Sequence, residues 1–225
     1  SMGADMGDLN NDRYPEIFAT DMVPEDNERL KTKTTFDSWD NYKSNVENDY
    51  YHQFTRNMLQ LNNTDGTFSE IGRFAGVNAT DWSWGALIMD LDNDGLKDLF
   101  VANGIFKDLT DQDYIQYFSN RDMVMNIITG NKVDYKTLID AIPSVKIPSY
   151  AFKNMGEYRF QNVADRWGLG EPGFSNGSAY GDLDNDGDLD LVVNNVNMPM
   201  FIYRNETDTH LPENHFLKVI LRGDS

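Results

Sequence analysis

Short apolar runs punctuate this chain, each bounded by Asn, Asp or Gly and most too short to fill a helix. Leu99-Phe-Val-Ala102 and Leu191-Val-Val193 follow acidic stretches, and their length and branched side chains predict strands. Leu59-Gln-Leu-Asn62, Tyr150-Ala-Phe-Lys-Asn154 and Phe201-Ile-Tyr-Arg-Asn205 each read as a strand entering a turn at an asparagine. Two stretches break the rhythm. Residues 24–54 are polar and aromatic and partly helical in pattern. Asp111 to Ile127-Ile128 places apolar residues near helical spacing with Thr110 as the expected N-cap, and Asp134-Tyr135 to Ile139 predicts a second short helix before Pro143.

The strand signals are periodic once these two stretches are set aside. Asn62 precedes Asp90 by 28 residues, and Asn154 precedes Asp182 by the same 28. The third unit is compact, with Asn205 standing 23 residues after Asp182, and it defines a core repeat of 51 residues. The first two units carry 31 and 41 residues more, and Ser1-x-Gly3, Ser83-x-Gly85 and Ser175-x-Gly177 keep one register ahead of the acidic stretches. Each unit holds two strands around an acidic loop and two around an Asn turn. A four-stranded meander repeated at this length is the blade of a β-propeller.

The expected architecture is therefore mainly β, with three four-stranded antiparallel units at 1–77, 83–169 and 175–221 and partly helical insertions at about 22–56 and 105–148. Closed propellers take about four to eight blades, so the segment 1–221 is expected to belong to a larger propeller completed by the full-length chain or by another subunit. A meander alternates its connections between two ends. The acidic loops are thus expected on one face and the insertions on the other, where long ordered insertions on a rigid scaffold are candidates for recognition.

Composition sharpens the acidic loops. The 225 residues carry 37 Asp and Glu against 19 Lys and Arg, a formal charge of −18 that repels phosphate backbones and argues against a nucleic-acid partner. No stretch approaches the roughly 18 apolar residues of a membrane span. The first residues show no signal-peptide pattern, and the absence of Cys removes disulfides and thiolate sites.

Much of the acid sits in three nonamers: Asp8-Leu-Asn10-Asn-Asp12-Arg-Tyr14-Pro-Glu16, Asp90-Leu-Asp92-Asn-Asp94-Gly-Leu96-Lys-Asp98 and Asp182-Leu-Asp184-Asn-Asp186-Gly-Asp188-Leu-Asp190. Oxygen side chains recur at positions 1, 3, 5 and 9, and Tyr14, Leu96 and Asp188 at position 7 are expected to offer backbone carbonyls. Such crowding is repulsive unless a cation sits among the carboxylates. A hard, flexible oxygen cage suits Ca²⁺, and up to three ions are expected. A solvated acidic turn is the bland alternative for one loop, but less so for three at identical spacing. Position 12 is Ala19, Val101 or Val193 rather than Glu, and strands follow the loops, so an EF-hand is excluded. The first loop has Asn10 at position 3, Arg13 where Gly would relieve a positive φ, and only three carboxylates. It is expected to bind most weakly.

The motif Gly-x-x-x-x-Asp-x-Asp-x-Asp-Gly-x-x-Asp, at Gly85 to Asp98 and Gly177 to Asp190, resembles the FG-GAP/VCBS repeats of integrin-α-like propellers, whose hairpin loops bind Ca²⁺. The Asn hairpins and long insertions look like bacterial, Bacteroidetes-type proteins that pair these repeats with an ASPIC/UnbV domain. Asn214 to Gly223 is similar to the first strand of that domain, which would begin within 214–225. The resemblance implies an extracellular, cell-surface or periplasmic protein without a well-defined activity.

Two functions are weighed. The first is a non-enzymatic, Ca²⁺-stabilised scaffold or interaction module whose protein or glycan ligand is unknown. The second is a carbohydrate-binding or polysaccharide-processing component that uses the insertion face. Trp39, Tyr42, Tyr50, Tyr51 and Phe54 suit sugar stacking but read better as the core of their own insertion. His52, His210 and His215 lack catalytic or metal-ligand spacing, Trp82 and Trp84 read as packing between blades, and the sequons at Asn62, Asn78, Asn176 and Asn205 carry no weight.

Overall fold

A computed structural model describes residues 2–34, 38–119, 125 and 135–223. Ser1, Ile127-Ile128 at the end of the second insertion's first helical run, and Asp134 lie outside the described residues. The fold is mainly β. The first sheet orders β1 (Ala4–Gly7), β2 (Glu16–Ala19), β4 (Met58–Asn62) and β5 (Phe68–Glu70) as an antiparallel meander. The second contains β6 (Asp81–Met89), β7 (Asp98–Asn103), β8 (Tyr150–Asn154) and β9 (Phe160–Asn162), and the third contains β10 (Ser175–Gly181), β11 (Asp190–Asn195) and β12 (Phe201–Tyr203). Register is shared: Gly7 pairs with Glu16, Met89 with Asp98 and Gly181 with Asp190, so every acidic loop closes the same hairpin. These sheets are propeller-type blades.

Two strand assignments differ from expectation. The second sheet gains a fifth strand, because β3 (Met22–Val23), at the start of the first insertion, pairs with Asp81 and Trp82 of β6. The third unit has three strands among the described residues, not four. The fourth strand starts six residues after the Asn turn in the first two blades, which corresponds to Leu211-Pro212-Glu213 here. Pro212 lacks the N–H a ladder needs, and Thr207–His210 winds into a helical turn instead. The apolar run at 216–221 also forms no strand: Leu217 and Leu221 are exposed, and a lone extended segment has no ladder to join.

Two hydrophobic layers hold the blades face to face. Leu9, Phe18 and Leu59 of the first blade pack with Ile88, Leu99, Val101 and Phe152 of the second. Met89, Leu91, Phe100, Ala102 and Ala151 pack with Leu191 and Val193 of the third. Strand β7 is buried at all six positions because its alternate side chains serve both layers. Fine adjustment occurs where the inner strands meet. The Asp5 carboxylate accepts from the Ile88 amide at 2.8 Å, and a Cβ on Gly3 would lie 2.5 Å from the Trp84 carbonyl oxygen. The Trp84 indole donates to the Gly104 carbonyl at 2.6 Å, within its own blade.

The insertions supply helices α1 (Asn27–Lys33), α2 (Trp39–Glu47), α4 (Gln112–Phe118) and α5 (Tyr135–Asp140), with a single turn α3 (Gly72–Ala75) after the first blade. The α4 N-cap is Asp111, whose carboxylate accepts from the Tyr114 amide; Thr110, expected in that role, is bonded to Asp108. Lys33 of α1 forms ion pairs with Asp108 and Asp111, and Arg29 clamps Asp81, so the first insertion is tied to the second blade. The second insertion ends in an isolated bridge from Ile147 to Gly173, just ahead of the third. The aromatics of the first insertion are not the buried core expected of them. Tyr42 stacks on Phe54 and His52, but Trp39 is 71% exposed and α2 buries no residue, because two turns of mostly polar helix cannot close over themselves. Among the described residues no helix is long and apolar enough to cross a membrane.

Candidate metal centres

The three loops share a backbone. Position 4 is left-handed in each, at Asn11, Asn93 and Asn185, and so is position 6, at Arg13, Gly95 and Gly187. Asparagine and glycine tolerate that region at little cost. Arg13 does not, and its φ of 77° is the strain anticipated from its position. The position-1 carboxylate closes the turn: Asp8 accepts from the Arg13 amide at 2.8 Å and Asp90 from Gly95 at 2.9 Å.

Position 9 is buried in every loop, and its carboxylate is an organising acceptor. Glu16 accepts from the Leu9 amide, Asp98 from Leu91 and Asp190 from Leu183, at 2.8, 3.0 and 2.9 Å. The second oxygens of Asp98 and Asp190 accept from the backbone of the Asn turn, Asn154 and Asn205, each at 2.8 Å. The Asn side chains complete the pattern. Each Oδ1 accepts from the amide two residues on, at Thr64, Gly156 and Thr207. Each Nδ2 donates to the position-8 carbonyl of its own loop, at Pro15, Lys97 and Leu189. Asn154 and Asn205 also reach the position-2 carbonyl of the preceding loop, at Leu9 and Leu91. Position-9 carboxylates in neighbouring blades are therefore strung on one line of hydrogen bonds. The acidic signal was visible in the sequence, whereas this clasp was legible only as a recurrent Asn.

The predicted ligands converge unevenly. In the second loop, oxygens of Asp90, Asp92 and Asp98 lie within 4.8 Å of one another, while Asp94 turns to Lys153 at 2.7 Å. Lys153 also pairs with Asp92. In the third loop Asp182, Asp184 and Asp186 converge, with Arg204 2.8 Å from Asp184, and Asp190 stays with its backbone donors. Asp188, expected to contribute a carbonyl, turns its side chain toward Asp186 and Asp208, an acid the sequence reading did not include. In the first loop Asp8, Asp12 and Glu16 do not meet at this spacing among the described residues. Asn10 donates to Asp12 and to the Tyr158 hydroxyl, and the amide of Tyr14 donates to Asp12.

Burial without a counter-charge makes the loop carboxyls weaker acids. Desolvation, offset in part by backbone donors, pushes Asp98 up to about 7 and raises Glu16 and Asp90. Several buried carboxylate oxygens meet no donor: Glu16 Oε1, Asp90 Oδ1, Asp92 Oδ1 and Asp182 Oδ1. Oxygens of this hardness, unpartnered and clustered, fit a divalent cation.

The comparison with curated proteins gave no match. The family model described as an FG-GAP-like repeat matches residues 48–101, from the end of the first insertion through the second acidic loop and into β7.

Proposed function

We propose that this chain is a non-enzymatic propeller segment, a secreted or surface scaffold for recognition, whose acidic loops hold structural Ca²⁺. The observation that carries the reading is the set of donor-less buried oxygens at Glu16, Asp90, Asp92 and Asp182. The second loop would hold an ion with Asp90, Asp92 and Asp98, assisted by Asp94 and the Leu96 carbonyl. The third would use Asp182, Asp184 and Asp186 beside Asp190 and the Asp188 carbonyl. The first, with Asp8, Asn10, Asp12, Glu16 and the Tyr14 carbonyl, would bind most weakly. The ion cancels carboxylate repulsion and fixes each hairpin, so binding and folding are linked. Affinities of roughly 10⁻⁴ to 10⁻³ M suit an extracellular module. Carboxylates so committed are poor proton donors, which disfavours acid–base catalysis. Melting the chain with calcium and with chelator tests the reading: a rise in Tm with calcium is expected, and equal curves would overturn it.

A second reading, carbohydrate binding on the insertion face, rests on the exposure of Trp39, Tyr50 and Tyr51 beside the Tyr42–Phe54 stack. Glycan-array binding lost on Trp39→Ala would favour it.

A further inference from the structure

The third loop departs from the others at position 7, where Asp188 replaces Tyr14 and Leu96. A backbone carbonyl serves the loop at that position, so the carboxylate is spare. It is also 1% exposed. One oxygen, Oδ2, accepts a long bond of 3.4 Å from the Asp208 amide, and the other, Oδ1, meets no donor at all. Burying an ionised carboxylate without donors is costly, and a cation held at its oxygens would remove that cost.

The facing group is a further acid. Asp208 lies in α6 (Thr207–His210), the helical turn just ahead of the position where a fourth strand would begin. Oxygens of Asp186, Asp188 and Asp208 lie within 4.8 Å of one another, with Asp188 buried and Asp208 exposed. On its other flank Asp186 belongs to the loop's own cluster with Asp182 and Asp184, where Arg204 approaches from 3.5 Å.

We propose that Asp186, Asp188 and Asp208 form a second cation site in the third loop, which takes a hard divalent ion such as Ca²⁺ and draws α6 onto the hairpin. Three carboxylates and water on the open Asp208 side make an all-oxygen shell of the kind Ca²⁺ accepts. The shared Asp186 would bridge the two ions of this loop. The first and second loops cannot build the equivalent, since Tyr14 and Leu96 offer no carboxylate. The site goes beyond the loop-bound ions proposed above and rests on the same ion chemistry.

Counting bound ions by native mass spectrometry, with calcium as the sole added metal, tests it on the whole chain. Asp208→Asn keeps an exposed helical turn intact and is expected to bind one calcium ion fewer than the parent, while the calcium-dependent rise in Tm persists. Asp188→Asn retains the backbone carbonyl and is expected to lose the same ion; should it fail to fold, Asp208→Asn alone decides. An unchanged count in Asp208→Asn, with calcium bound elsewhere, overturns this site and leaves the loop reading standing. A parent chain that binds no calcium overturns both.

Discussion

The Asn154 side-chain amide donates to the Leu9 carbonyl at 2.8 Å, across 145 residues of chain and the seam between two blades. The same nitrogen donates to Lys97 of its own loop at 3.0 Å, so one side chain fastens two acidic loops. Asn205 repeats the arrangement on Leu91 and Leu189. Replacing Asn154 by Ala would leave two loop carbonyls without their donor and remove the acceptor that shapes the Gly156 turn. A loss of about 3 kcal/mol is expected from urea unfolding. Asn63→Ala, at an exposed turn one residue past Asn62, should change stability by about 0.5 kcal/mol or less.

Lys153 sits on Asp92 and Asp94 of the second loop. Its charge stabilises the ion-free loop but opposes a cation bound at the same oxygens. Lys153→Met is therefore expected to lower Tm in chelator and to tighten calcium binding by about five-fold, roughly 1 kcal/mol for a partly exposed charge. Calorimetric titration checks both signs at once, and weaker calcium binding in the variant would contradict the argument.

Arg13 occupies a left-handed backbone position that glycine fills in the other two loops. Arg13→Gly removes a strain of about 1 kcal/mol, offset in part by the greater freedom of glycine in the unfolded chain. A net gain of roughly 0.5 kcal/mol is expected in thermal unfolding. Gly95→Arg in the second loop should show the opposite sign.

The pH dependence should reverse with calcium. Asp98 has a folded-state pKa raised to about 7, and Glu16 and Asp90 are raised as well. The folded chain then holds protons that the unfolded chain has released. Without cation, this contribution to stability is whole below the unfolded carboxylate range, near 4, and is lost as pH rises to about 7. Tm in chelator is expected to fall between pH 5 and 7.5. With calcium present the ionised form is the ligand, so Tm should rise over the same interval.

Much of the candidate site was legible in the chain because a turn's chemistry is local. Alternating oxygens over nine residues, Gly95 and Gly187, and an Asn at constant spacing encode the hairpin directly. What the pattern left open were partners distant in sequence. Asp208 follows Asp188 by two strands, β11 and β12, and no spacing rule joins them. Lys153 and Arg204 precede their turn asparagines by one residue, yet only the meander carries them back onto positions 3 and 5 of the loop. Among the described residues the third unit lacks a fourth strand for a local reason, Pro212 at the position where that strand would run.

By itself the sequence determined the units: short apolar strand runs, acidic turns, Asn turns and the insertions between them, all set by short-range sterics and side-chain hydrogen bonding. Only the tertiary structure decided which faces meet. It made β7 buried on both sides, sending Leu99 and Val101 to one layer and Phe100 and Ala102 to the other. It moved β3 onto the neighbouring sheet and clasped successive loops through Asn154 and Asn205. These outcomes depend on burial of apolar surface and on the demand that buried polar groups find partners, and both are satisfied between blades rather than within one.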